Sequence, residues 1–402
     1  MPKHPPRPNA SMELNMPVPL FITPHSLSFK TAIGIQTRFL LEDFPMWKHL
    51  FWDGAEFKSL DARSARIESA LFCRFGILKR EPKSLPSRIL AAAGLSWWKG
   101  NEMKPTTRRW LRTTYKDDVS VVYVAPVSIR DSERMKAILT ALEKPFVVHL
   151  WDLIDRNQAN SESFRWLIEN AAHVCCLCEA MVDYIAPLRQ NAHILRFTRR
   201  PSLHVASPLG HGPLRIALIG FCLPYVDGLL VLNEALRIVK ERNHKVSLIY
   251  IGNKKRVKGW GIRMDDKVNV TGFTASDDER DRLLAQCHVG FMPGPLASPA
   301  IDTRSRFSIP SRVIDYMATG LPIIGTVHPE SATSAYMEAF GLGGCLGTNS
   351  PELLAERLLA LYDSSTWRLY SDLSLKGFLA AQQESRSLPY LMQNAATSVP
   401  NL

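Results

Sequence analysis

Residues Phe307 to Thr326 read F-S-I-P-S-R-V-I-D-Y-M-A-T-G-L-P-I-I-G-T, the pattern of a helix that leads directly into a buried strand. Pro310 and Ser311 are helix-start signals, because a small hydroxyl side chain can cap the exposed N–H groups of a helix that begins at Arg312. Gly320 predicts the end of the helix, since glycine accepts the left-handed backbone that closes many helices. The apolar residues after this glycine are predicted to form a short strand.

Two opposite charges lie on this predicted helix. Asp315 is three residues past Arg312 and therefore lies roughly on the same face, about one turn further in. A helix that starts from a loop leaves N–H groups and a positive dipole end exposed, and these attract anions. A cation at the rim with a carboxylate behind it suits a nucleotide, with phosphates at Arg312 and ribose hydroxyls at Asp315.

The run P-S-R-V-I-D-Y-M-A-T-G-L-P-I-I-G, at 310–325, resembles the donor-binding segment of GT-B-fold glycosyltransferases of family 4, the group 1 type. In that group the pattern P-S-(K/R)-x-x-(E/D)-Y-x-A-x-G-x-P-(V/I) binds a sugar nucleotide. The resemblance implies an α/β fold of two Rossmann-like, doubly wound parallel-sheet domains that face a central cleft. It assigns the ribose to Asp315 and the diphosphate to Ser311 and Arg312. It also implies retention at the anomeric carbon, no metal and no cofactor, with a nucleoside diphosphate sugar as co-substrate.

Two departures from the family pattern bear on activity. Phe307 stands where many members have a glutamate that touches the donor sugar. The loop after Gly220, F-C-L-P-Y-V-D-G, lacks the arginine and lysine that many relatives use to bind the leaving diphosphate. Arg304 and Arg306, together with Arg312, are candidate replacements, because guanidinium groups match phosphate geometry; for Arg304 and Arg306, a solvated surface loop is an equal alternative.

Composition indicates a globular enzyme of two or three domains, with 402 residues, 46% of them apolar. No apolar run reaches the length of a membrane span, and the proline-rich first residues do not form a signal peptide, so a cytoplasmic location is expected. Seven cysteines without a secretion signal argue against a disulfide framework. Cys175, Cys176 and Cys178 could bind a metal, but they fit a buried strand better.

Strands alternate with helices along most of the chain, which predicts parallel sheets. The expected organisation is an N-terminal acceptor-side domain at 18–205, a linker at 206–213, a nucleotide-sugar-binding domain at 214–366 and a helix at 367–390 that, by resemblance, crosses back. Gly34 follows the first strand and, by resemblance, faces the cleft. A local turn explains this glycine equally well.

Three residues near the end of the strand 145–150 are candidates for the acceptor side of the cleft. Asp152 follows this strand directly, and the carboxyl ends of parallel strands border ligand crevices. The resemblance places a histidine and an aspartate here, next to the reacting carbon. This chain has Trp151 in place of the histidine, and His149 lies two residues earlier. The alternatives are a loop carboxylate for Asp152 and a hydrogen-bonded strand residue for His149.

The net charge of +11 is concentrated in residues 72–116, where eleven basic and two acidic residues leave +9. Tryptophans and leucines alternate with these cations, as in segments that lie on an anionic membrane surface. A basic insertion on the acceptor side and a site for another polyanion are the alternatives. No RNA-binding motif accompanies the charge, so no nucleic acid partner is expected.

The sequence therefore predicts transfer of a sugar from a nucleoside diphosphate sugar to a hydroxyl acceptor, a glycan or a lipid-linked saccharide. Catalysis would depend on Arg312, which stabilises charge on the leaving diphosphate, and on Asp152, which orients the sugar or the acceptor. Two other hypotheses fit the same fold. One is a catalytically silent binding subunit, and the other is a sugar-nucleotide 2-epimerase.

Overall fold

The computed structural model describes most of the chain in seven ranges: 18–24, 37–61 (without 38, 42, 54 and 55), 98–153 (without 100, 101 and 116), 158–220, 226–252, 268–294 (without 273 and 275) and 303–397 (without 343, 344 and 347–349). Gly34 and most of the basic segment lie outside the described residues.

The chain divides into two compact units. The first contains Met1–Cys176, Val182–Leu195 and Arg386–Leu402, and the second contains Leu177–Met181 and Arg196–Ser385. The second unit thus begins before the linker predicted at 206–213. The linker segment packs within it, where the Ala206 amide donates to the Thr319 carbonyl at 2.8 Å.

The first unit is built on a seven-stranded sheet with the order β3-β2-β1-β6-β7-β8-β9. All neighbouring strands are parallel except the β2–β3 hairpin. Every residue of β1, β6 and β7 is buried, as expected for parallel strands covered on both faces. Apolar runs in the sequence predict five strands in this half, at 19–23, 120–125, 145–150, 171–177 and 193–197. The structure confirms all five, whereas β2 and β3 were not predicted. The strands are β1 (Pro19–Thr23), β2 (Lys48–Asp53), β3 (Glu56–Asp61), β6 (Val121–Val124), β7 (Phe146–Leu150), β8 (His173–Cys176) and β9 (Ala192–Ile194), and a separate pair is formed by β4 (Trp98–Lys99) and β5 (Glu102–Met103).

The second unit is built on a six-stranded parallel sheet with the order β12-β11-β10-β13-β14-β15. The alternation of strands and helices predicted for this part of the chain is confirmed. The strands are β10 (Leu214–Ile219), β11 (Val246–Ile251), β12 (Val268–Val270), β13 (Val289–Pro293), β14 (Ile323–Thr326) and β15 (Cys345–Leu346).

Twelve helices of the described ranges carry labels here, in chain order. They are α1 (Pro105–Tyr115), α2 (Ile129–Leu142), α3 (Glu162–Asn170), α4 (Glu179–Ile185), α5 (Val226–Glu241), α6 (Asp277–Ala285), α7 (Thr303–Phe307), α8 (Arg312–Ala318), α9 (Ala332–Ala339), α10 (Pro351–Ala360), α11 (Ser364–Ser385) and α12 (Ser387–Thr397). None of them combines the length and the apolarity that crossing a bilayer requires.

The predicted C-terminal helix at 367–390 is two helices in the structure. Helix α11 ends the second unit, and α12 belongs to the first unit, where it packs on β6 and β7. Pro389 lies in the first turn of α12, where its missing N–H costs nothing.

Candidate functional site

Helix α8 carries the motif that the sequence assigned to the donor. It begins at Arg312 and all seven of its residues are buried, although Ser311 makes no side-chain capping bond within the described residues. Gly320 closes the helix with a φ of +68°, as the sequence predicted. Its carbonyl accepts a bond of 2.6 Å from the Ser371 hydroxyl, and the Leu321 carbonyl accepts one of 2.7 Å from Ser374. Helix α11 therefore supplies donors to the C-terminal end of α8.

Tyr316 fastens α8 to the sheet. Its hydroxyl accepts a bond from the Ile219 amide and lies within donating distance of the Phe291 carbonyl, each at 3.2 Å. The ring covers Gly290, where an added Cβ would lie 2.4 Å from the ring carbon Cγ. Because Ile219 ends β10, this bond holds α8 beside Gly220.

Gly220 offers an open approach to the backbone at the carboxyl end of β10. Its φ is +79°, and an added Cβ would meet no atom within 4 Å among the described residues. The helix that follows is packed closely against the sheet. A Cβ on Gly228, in the first turn of α5, would lie 2.5 Å from Thr326 Oγ1 and 2.8 Å from the Gly294 carbonyl oxygen. The carboxyl ends of β13 and β14 therefore meet the start of α5, and the carboxyl edge of such a parallel sheet is where α/β proteins bind ligands.

The three arginines predicted to contact phosphate occupy different environments. Arg312 is only 8% exposed at the first position of α8, whereas Arg306 is exposed on α7. Arg304 is also on α7, but its side chain lies outside the described residues. Phe307, at the position of the family glutamate, is buried at the end of α7.

Asp315 is part of a buried ion cluster in the second unit. Arg199 Nη1 donates to Asp315 Oδ1 at 2.9 Å and to Asp281 Oδ1 at 2.7 Å. Arg280 Nη2 lies 2.9 Å from the same oxygen of Asp315 and 2.9 Å from Asp277 Oδ1. Burial raises the pKa of Asp315, and the two guanidinium groups oppose that rise. One oxygen of the predicted ribose ligand is thus already engaged by protein cations.

The members of this ion cluster other than Asp315 were not predicted from the sequence. Arg199 precedes the predicted linker, and Arg280 lies in the charge-rich helix α6, whose D-D-E-R-D-R pattern is typical of a solvated surface. Their side chains are only 3% and 6% exposed. The one available signal was that Arg199 is a charged residue close to the predicted linker. This signal did not indicate which residue Arg199 would contact.

In the first unit, His149 and Trp151 belong to a buried hydrogen-bonded chain. Trp151 Nε1 donates to the Tyr123 hydroxyl at 3.1 Å, and this hydroxyl lies 2.7 Å from His149 Nδ1. His149 Nε2 lies 2.8 Å from the Leu195 carbonyl oxygen, so it carries the proton and Nδ1 accepts from Tyr123. Burial lowers the pKa of His149 to about 3. These contacts favour the hydrogen-bonded strand residue as the interpretation of His149, and they make Trp151 one of its neighbours in the interior.

Asp152 lies directly after β7 and is half-buried. Its position at the carboxyl end of a parallel strand agrees with the predicted location, and its role as an orienting group stays a prediction.

The cysteines at 175, 176 and 178 form part of the interior, as the strand interpretation predicted. Burial raises the pKa of Cys175 to about 12 and is the main cause that raises that of Cys178 to about 11, so both thiols are protonated at neutral pH. Across the described ranges, no group of three or more His, Cys, Asp and Glu side chains is arranged to bind a metal ion.

The fold matches several solved structures over nearly the whole chain. HepE from Anabaena, solved with UDP and glucose, has a TM-score of 0.61 and 13% identity, with 96% of this chain and 100% of that chain covered. A glycosyltransferase from Rickettsia africae has a TM-score of 0.58 and 11% identity, with 96% and 100% covered. A UDP-forming trehalose-phosphate synthase from Burkholderia xenovorans has a TM-score of 0.55 and 10% identity, with 95% and 100% covered. At these identities the likeness establishes the fold.

The two parallel sheets with flanking helices place this chain in the GT-B class of α/β proteins. No curated protein matches the sequence. Residues 213–364 match the family described as glycosyl transferases group 1, which confirms the resemblance stated for the motif at 310–325. The second unit therefore contains a group 1 glycosyl transferase domain, and the protein is a glycosyltransferase.

Proposed function

We propose that this glycosyltransferase moves a glycosyl group from a nucleoside diphosphate sugar to a hydroxyl of a glycan or a lipid-linked saccharide, with retention and without a metal ion. The observation that carries the proposal is the position of the donor motif. The motif lies inside the residues that match the family, on helix α8. The Tyr316 hydroxyl of this helix accepts a hydrogen bond from the Ile219 amide, beside Gly220 at the carboxyl edge of the sheet. HepE, which has the same fold, was solved with UDP and glucose.

In the proposal, the second unit binds the donor. The diphosphate lies at Arg312 and Ser311, with Arg304 and Arg306 as further cations on α7, and the open backbone at Gly220 admits close approach of a phosphate. Helix α8 has only seven residues, so the guanidinium group of Arg312 contributes more than the helix dipole. The ribose hydroxyls lie at Asp315.

The proposed reaction forms a bond between the acceptor oxygen and the anomeric carbon and breaks the bond from that carbon to the diphosphate oxygen. The acceptor proton passes to a phosphate oxygen of the donor. Negative charge grows on the leaving diphosphate in the transition state, and Arg312 stabilises it there. Asp152 in the first unit orients the sugar or the acceptor.

Binding of the donor should stabilise the folded protein. We expect a nucleoside diphosphate sugar at 100 times its Kd to raise the free energy of unfolding by about 2.7 kcal/mol, seen as a rise in Tm across a panel of nucleotide sugars. A radiolabelled form of the most stabilising donor should be transferred to an acceptor, and EDTA should not slow the transfer. Asp315→Ala should weaken donor binding.

Glu338→Ala is the matched control for this variant, because Glu338 is exposed on α9 and lies outside the ion cluster. If no nucleotide sugar raises Tm or is consumed by the wild type, the proposal is wrong. If EDTA abolishes transfer, only metal independence is wrong.

We also propose that α1 contacts an anionic membrane surface, which would bring the enzyme to a lipid-linked acceptor. Helix α1 has three arginines and no acidic residue. Arg108 and Arg109 are exposed, whereas Arg112 donates to Glu143 at 2.7 Å. The opposite side, with Leu111, is buried in the first unit. The exposed pair is therefore the part of this helix that can meet lipid phosphates.

Each cation near an anionic surface contributes about 1 kcal/mol, so the variant with Arg108→Gln and Arg109→Gln should bind phosphatidylglycerol vesicles about 30-fold more weakly in co-sedimentation. Raising the salt concentration should weaken wild-type binding. Arg282→Gln with Arg368→Gln removes two exposed arginines elsewhere and serves as the control. Equal binding to neutral and anionic vesicles would contradict the proposal.

A further inference from the structure

We infer that Arg199 and Arg280 are positioning residues that hold one carboxylate oxygen of Asp315 so that the other oxygen faces the ribose of the donor. The inference rests on the proposed function, which places the ribose at Asp315. It adds two residues that lie outside the donor motif and explains how a buried aspartate can present a ligand atom.

Both arginines contact the same oxygen. Arg199 Nη1 donates to Asp315 Oδ1 at 2.9 Å, and Arg280 Nη2 lies 2.9 Å from it. Oδ2 enters none of the ion pairs or hydrogen bonds made within the described ranges, and the side chain keeps 13% of its surface exposed. The two arginines therefore orient the carboxylate through Oδ1, and Oδ2 can accept hydrogen bonds from the two ribose hydroxyls.

The arginines are themselves fixed by other carboxylates. Asp281 accepts from Arg199 at 2.7 Å, and Asp277 Oδ1 lies 2.9 Å from Arg280 Nη2. The side chains of Arg199, Asp281 and Arg280 are 3%, 5% and 6% exposed. Separating a buried ion pair leaves an uncompensated charge. A rotation of any of these side chains away from its partner would therefore be strongly destabilising. The orientation of Asp315 is thus set before any ligand arrives.

The charge balance also favours a hydrogen-bond donor as the ligand. The cluster holds three carboxylates and two guanidinium groups, so it carries one negative charge in excess when all are ionised. An ionised carboxylate accepts hydrogen bonds more strongly than a neutral group does. Ribose hydroxyls are donors and fit this excess, whereas a phosphate would be repelled.

The test compares each nucleoside diphosphate with its 2′,3′-dideoxy form, using UDP, GDP and ADP, by calorimetric titration. For the base that binds best, the wild type should prefer the ribose form by about 10- to 100-fold, the range for hydrogen bonds to a charged group. In Arg280→Gln this preference should fall below about threefold, because Asp315 loses its fixed orientation. A role in folding alone would weaken both ligands equally and leave the preference unchanged.

Three further variants make the result specific. Arg280→Lys keeps the charge without the planar fork, so it should recover part of the preference. Arg199→Gln combined with Asp281→Asn removes one charge of each sign, which protects folding, and should also reduce the preference. Arg282→Gln alters an exposed arginine on the same helix and should leave the preference as in the wild type.

The outcomes separate the inference from the proposed function. An unchanged preference in Arg280→Gln overturns the inference and leaves the proposed function standing. If the wild type binds a nucleotide without preferring ribose, Asp315 is not the ribose ligand and the inference also fails. If none of the three nucleotides binds, both fail.

Discussion

Replacing Arg312 with alanine is expected to lower kcat for glycosyl transfer by about 100- to 1000-fold, the range seen when one group that stabilises transition-state charge is removed. The reason is that negative charge on the leaving diphosphate is greatest in the transition state, so the loss should fall on kcat more than on KM. Arg312→Lys should recover part of the rate, because the charge remains while the two-pronged geometry is lost. Steady-state kinetics with the best donor measures both values.

Arg357→Ala is a suitable control for this prediction, since Arg357 is an exposed arginine on α10, away from the motif. Arg312 is buried, so the variant must also be compared with the wild type in thermal unfolding. A rise in KM with an unchanged kcat would mean that Arg312 binds the ground state and the transition state equally. In that case, another group must stabilise the leaving diphosphate.

Gly290→Ala should lower the free energy of unfolding of the second unit by about 3 kcal/mol, the upper part of the usual range for overpacked interiors. The added Cβ would lie 2.4 Å from the Tyr316 ring, well inside van der Waals contact. Both residues are buried, and the ring is held at its hydroxyl by the backbone of β10 and β13, so it cannot move aside without breaking those bonds. Gly290→Val should exceed this loss.

Denaturant titration of the whole chain measures this loss. Gly210→Ala is the matched control, because a Cβ there meets no atom within 4 Å in the described part of the chain, and it should change stability by less than about 0.5 kcal/mol. Tyr316→Ala should relieve the clash, so the double variant should lose less than the two single variants together. Strictly additive losses would show that the ring is not the obstacle.

Much of the fold could be predicted because parallel strands covered on both faces appear in the sequence as short apolar runs between helical segments. The run at 289–292 is an example, and it is β13 in the structure. The hairpin of β2 and β3 was missed although Asp53 and Gly54 form a turn signal between two alternating segments. The boundary between the two units was less visible, because it falls directly after Leu195, ahead of the glycines and prolines at 206–213 that predicted the linker.

The candidate site was only partly predictable for a physical reason. A local motif places Ser311, Arg312 and Asp315 on one helix, since spacing along a helix fixes which residues are neighbours. The ion pair of Arg199 with Asp315 joins residues 116 positions apart, and no local spacing encodes such a contact. Buried charges are rare, so Arg280 on a charge-rich helix reads as a surface residue until its neighbours are known.

The hydroxyls of Ser371 and Ser374 have a consequence for any attempt to prepare the second unit by itself. They lie beyond the end of the family match at 364, yet they satisfy the Gly320 and Leu321 carbonyls of the donor motif. A fragment that contains only the residues of the family match would lose the hydrogen bonds to these two carbonyls and would also lack Arg199. A fragment that keeps Arg199 and both serine hydroxyls should run at least from 196 to 385, the longer of the two segments of the second unit.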